Sequence, residues 1–272
     1  MPTKSELEGR VSRIVQVFQK AMPPLSVQYP AIIICTQRTY RDQRAFLVAR
    51  MGSSAISAPT DDMAVEVISG TKGAALLVRK EEVPSLDAFY HLLWVALGRF
   101  YLSVSTATQS TEKTMQEESA VVGEAFWSVF ASEAIANRVE RFLRTAAGDT
   151  EKEIEWPEEQ WRSVYDEMKL QLLRIYGQRN IQIPDLAFYL ASALTDDLLE
   201  DMSRRAREGK LPGREGQPFN PVGVDTMPEQ LQSSMRGLIA VLEEQMQKER
   251  YWVASEETLS RIGELLTFLN EE

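Results

Sequence analysis

The sequence predicts an α+β fold: an N-terminal helix and a small β-sheet, followed by a mostly helical remainder. Three observations carry this. Between residues 31 and 79, short runs rich in Val, Ile and Leu alternate with turn-forming residues. From Ser85 onward, apolar residues recur at helical spacing almost without interruption. At 272 residues, 44% hydrophobic and 26% charged, the chain is long enough to bury a real core in one or two domains.

Taken in order, Ser5-Glu6-Leu7-Glu8 reads as a capping box that starts the first helix at Ser5. Leu7, Val11, Ile14, Val15 and Phe18 follow at helical spacing, and Pro23-Pro24 ends the run. The stretches Ala31–Thr36, Ala45–Arg50, Met63–Ser69 and Ala74–Arg79 read as three or four strands of one sheet. Gly52, Ser53, Ser54, Pro59, Gly70 and Gly73 punctuate them. Ser85–Ser105 is apolar nearly all round, the pattern of a helix buried on several sides, and Glu117–Thr145 is a second long helix. Trp156-Pro157-Glu158-Glu159 opens a third, with Pro in its first turn and acids near its positive end. One further helix is expected from Pro184 to about Arg207 on Leu186, Leu190, Leu194 and Leu198. Residues 209–227 hold four Gly and three Pro and read as a loop. Glu229–Lys248 and Ser255–Leu269 close the chain, the latter with Ser255 as N-cap.

Composition excludes several functions. Thirty Lys plus Arg against forty Asp plus Glu leaves a net charge of −10, which disfavours nucleic-acid binding. The acid is concentrated late: residues 1–110 carry 12 basic and 9 acidic side chains, and 111–272 carry 18 and 31. One Cys excludes a disulfide framework, and one His excludes every metal site built from two imidazoles. The N-terminus shows no apolar leader, and Phe89–Leu102, the longest strongly apolar stretch, is too short and too polar to span a bilayer. A cytoplasmic location without membrane attachment is the expectation.

The residues that point to a site lie on the buried helix. In His91-Leu92-Leu93-Trp94-Val95, positions 91 and 95 share a helix face. This is the spacing at which HExxH peptidases hold zinc with two imidazoles and activate its water with the Glu between them. On the next helix, Glu133-Ala134-Ile135-Ala136-Asn137 resembles the Glu-x-x-Ala-Asn/Asp signature with which gluzincin-type metallopeptidases supply a carboxylate ligand. The preceding Gly123-Glu124-Ala125-Phe126-Trp127-Ser128 also resembles small bacterial proteins of this type. With a sheet leading into the would-be metal helix, residues 5–145 resemble a compact gluzincin of the immunity-repressor peptidase (ImmA/IrrE-like) kind.

That resemblance implies a gluzincin-like α+β core over residues 1–150. Residues 151–272 are then a C-terminal helical extension, packed on the core or separate. It also implies relic metal-site positions at His91, Leu92, Val95 and Glu133, of which only His91 and Glu133 retain donor atoms. Val95 has no lone pair for zinc, and Leu92 cannot take a proton from bound water. Glu124, nine residues before Glu133, falls on nearly the opposite helix face; Glu140, seven after it, shares the face almost two turns away. The expected protein is a non-catalytic, metallopeptidase-like binding or interaction module with no cofactor. Its partner is a protein, a second copy of the chain, or a small ligand in an apolar cleft. Two other readings stay open: an active metal-dependent hydrolase with unorthodox ligands, and a helical interaction protein unrelated to peptidases.

Other features carry less. Thr36–Arg44 with Arg50 is the most cationic stretch, expected as a solvated loop between strands or as a contact for an anionic ligand or acidic partner. Cys35, inside Ile32-Ile33-Ile34-Cys35, reads as a small buried hydrophobe rather than a nucleophile. There is no Gly-x-Ser-x-Gly elbow, and Gly70-Thr71-Lys72-Gly73 is too short for a phosphate-binding loop.

Overall fold

A computed structural model of the chain describes residues 1–25, 27–52, 64–107, 118–146, 157–178, 181–212 and 223–271. Ser53, Ser54, Pro59, Met63, Glu117, Trp156 and most of the 209–227 loop lie outside the described residues. The fold is α+β and mostly helical, with an N-terminal helix and a small sheet. The chain divides into two compact units, Met1–Gln109 with Arg138–Leu143, and Ser110–Asn137 with Arg144–Glu272.

In the first unit, helix α1 spans Lys4–Ala21 and buries Leu7, Ile14 and Phe18. Its cap is Thr3 and not Ser5. The Thr3 amide donates to Glu6 Oε2 at 2.7 Å, and the Glu6 amide donates to Thr3 Oγ1 at 3.3 Å. Thr3-x-x-Glu6 thus closes the reciprocal box two residues earlier than the Ser5 reading placed it.

Strand β1 (Ala31–Cys35) runs parallel to β3 (Gly73–Arg79), which pairs antiparallel with β2 (Val65–Gly70), giving the order β1-β3-β2. A parallel pair needs a crossover element between its strands. Helix α2, Gln37–Met51, supplies it. The strand expected at Ala45–Arg50 is therefore the second half of this helix, and the cationic stretch at Thr36–Arg44 is its first half rather than a loop. Read with the polar residues before it, AFLVAR belongs to a helical stripe: Tyr40, Leu47 and Met51 are buried at spacings of seven and four. The Thr36 amide donates to Thr39 Oγ1 at 3.1 Å at the start, and Gly52 ends the helix in the left-handed conformation at φ 64°.

Alternation along the strands sets two faces. Cys35, Ile68, Ala75 and Leu77 pack with Tyr40, Leu47 and Met51 of α2. The opposite parity, including Ile34, Val65, Leu76 and Val78, is turned toward α1 and helix α3 (Leu86–Ala107), which touch β1 and β2. Ser85 caps α3, its Oγ accepting from the Ala88 amide at 3.1 Å.

The second unit is helical. It contains most of α4 (Glu118–Ala146), then α5 (Glu158–Tyr176), α6 (Ile183–Thr195), α7 (Asp197–Arg207), α8 (Glu229–Met246) and α9 (Glu256–Glu271). The single helix expected over Pro184–Arg207 is broken at Asp196, whose backbone is extended at ψ 129°. Asp196 acts as a new N-cap: its Oδ1 accepts from the Leu199 amide at 3.2 Å and its carbonyl from the Glu200 amide at 2.9 Å. Ser255 caps α9 as expected, its Oγ accepting from the Thr258 amide.

Helices α4 and α9 cross with backbones in contact. A Cβ built on Gly123 falls 1.8 Å from the Leu259 carbonyl oxygen, and one built on Gly263 falls 1.8 Å from that of Ser119. Each helix offers one glycine to the other's carbonyl, so the crossing closes from both sides. Gly123→Ala or Gly263→Ala is expected to cost at least about 2–3 kcal/mol, the penalty of overpacking against rigid backbone. Gly9→Ala, with nothing within 4 Å of the added Cβ in α1, is expected to gain about 0.5–1 kcal/mol. Denaturant midpoints of the three variants check this.

Candidate functional site

His91, Leu92 and Val95 lie in the middle of α3, His91 and Leu92 half-buried and Val95 buried. His91 Nδ1 is 3.9 Å from Glu140 Oε2, both side chains about a third exposed. Glu140 belongs to the stretch of α4 that is part of the first unit. Glu133, two turns earlier on that helix, is buried in the second unit, while Glu124 is exposed. Asn137, the last residue of the Glu-x-x-Ala-Asn string, bonds a side chain at the end of a neighbouring helix. Its Nδ2 donates to Thr195 Oγ1 at 2.7 Å, and that hydroxyl donates to the Ala191 carbonyl at 2.6 Å.

The donor set at α3 does not fit a zinc centre. A zinc ion needs three or four ligating atoms, and the aliphatic side chains of Leu92 and Val95 supply none. Among the described residues, no group of three or more His, Cys, Asp and Glu side chains is placed to share a metal ion. None of the described helices is long and apolar enough to cross a membrane.

A different polar cluster sits under α2, and the sequence reading missed it. Glu66 and Arg79 project from the sheet face that also carries Ile68 and Leu77, and they are only 8% and 1% exposed. The Tyr40 hydroxyl donates to Glu66 Oε2 at 2.7 Å. Arg44 Nε lies 2.9 and 3.1 Å from the two Glu66 oxygens. The Arg79 guanidinium lies over the Tyr40 ring, 5.0 Å from its centroid. The carboxylate thus meets a phenol and a cation from two successive turns of one helix. Such a charge-assisted arrangement is among the stronger hydrogen-bond types. The available signal was parity: Glu66 and Arg79 occupy core-facing positions of their strands, where a lone charge demands a partner.

Burial, then the hydrogen bond to Glu66, then the charge of Glu66 push the Tyr40 phenol up to about 12. The Cys35 thiol donates to the Val78 carbonyl at 3.1 Å and is pushed up to about 11 by burial, with Glu81 adding to the effect. It stays a thiol at neutral pH, without the thiolate a nucleophile needs. The Tyr40 phenol, like that thiol, stays protonated at neutral pH, and its bond to Glu66 ties α2 to the sheet. Set against known protein families, curated proteins and solved structures, the chain matches none.

The two polar sites should differ sharply in energy. Glu66→Ala removes the acceptor of the buried Tyr40 hydroxyl and of the part-buried Arg44 guanidinium and is expected to cost about 3–5 kcal/mol. His91→Ala breaks a long, partly exposed pair and is expected to cost under about 1 kcal/mol. Chemical denaturation of both variants measures the contrast.

A second expectation concerns alkali. A phenol whose folded pKa is raised stabilises the fold below its unfolded value of about 10 and loses that contribution as pH climbs through about 12. Tyr40→Phe should therefore lower stability at pH 8 yet flatten the decline between about pH 10 and 12, followed by denaturant midpoints across that range.

Proposed function

We propose that this chain is a non-catalytic binding or interaction module built on a metallopeptidase-like plan. The observation that carries the reading is the middle of α3. One imidazole there is followed, at the positions of the peptidase base and second ligand, by Leu92 and Val95. General-base chemistry requires a group that takes a proton from water, and an aliphatic side chain has none. The contact of His91 with Glu140 at 3.9 Å supports the same reading, since it gives the remaining imidazole a polar neighbour that needs no metal. The bonding of Asn137 to Thr195 likewise gives the second half of the motif a structural occupation.

Metal analysis tests this directly. Purified without a His tag and dialysed, the protein is expected to hold well under one equivalent of zinc, and His91→Ala should leave that figure unchanged. Stoichiometric zinc lost in His91→Ala would instead establish a hydrolase-type centre with other ligands. The double change Leu92→Glu with Val95→His tests the resemblance itself by restoring HExxH. It should melt below the parent in chelator, by roughly 1–3 kcal/mol per buried polar group, and recover as zinc is added. If zinc restores no stability, positions 91 and 95 have no metallopeptidase ancestry.

A further inference from the structure

We draw no further inference here: the strongest candidate, the outer edge of the uncharged, isoleucine-rich strand β1 at the end of the three-stranded sheet among the described residues, carries nothing, because nothing in the structure shows what covers it.

Discussion

Strand β3 is the constraint on which the first unit depends. It has a strand on each edge and apolar side chains on both faces, and Leu76, Leu77 and Val78 are entirely buried. Each such side chain contributes about 1.5–3 kcal/mol when removed from water, but only if both faces are covered. That requirement draws α2 onto one face and α1 with α3 onto the other. The parallel pairing of β1 with β3 adds a second demand, because the chain must cross over before it returns. One helix meets both needs. The segment after β1 is therefore helical even though its second half, taken alone, has the composition of a strand.

The buried charges act within this frame. Glu66 and Arg79 lie in an apolar layer, where an unpaired charge would cost several kcal/mol. Tyr40 and Arg44 lie four residues apart on α2 and so reach the same carboxylate. Apolar contacts alone would allow α2 to slide or rotate on the sheet. A carboxylate that accepts from two successive turns allows one register. The cluster thus contributes more to the uniqueness of the packing than to its net energy. His91 differs in kind: its partner is distant and both groups reach solvent, so the pair adds little to stability.

In the second unit, close approach does what charge does in the first. Gly123 and Gly263 let α4 and α9 meet backbone to backbone, a distance that any side chain at those positions would prevent. Gln245 of α8, almost fully buried, donates to the carbonyls of Tyr251 and Val253 and fixes the turn that leads into α9. Trp127 Nε1 donates to the Trp252 carbonyl of the same turn at 3.1 Å. A short connection whose carbonyls are satisfied by buried side chains holds α8 and α9 as a hairpin.

The sequence by itself determined the fold class, the long helices and three of the strands, because each rests on a local period: two residues for a half-buried strand, 3.6 for a helix. It also determined what α3 lacks, since the absence of a donor at Leu92 and Val95 is a property of the side chains and not of their placement. Only the tertiary structure decided the state of Ala45–Arg50, where a six-residue apolar run fits either period and the crossover settled the matter. It moved the first cap to Thr3 and broke the helix at Asp196, since a cap depends on which nearby side chain reaches an open amide. It joined Tyr40, Arg44, Glu66 and Arg79, residues up to 39 positions apart in the chain, through strand register and helix docking. It also brought Asn137 to the Thr195 hydroxyl, 58 residues away in the chain. Local order follows from the spacing of residues along the chain. Which polar groups meet depends on how the elements pack, and no single segment encodes that.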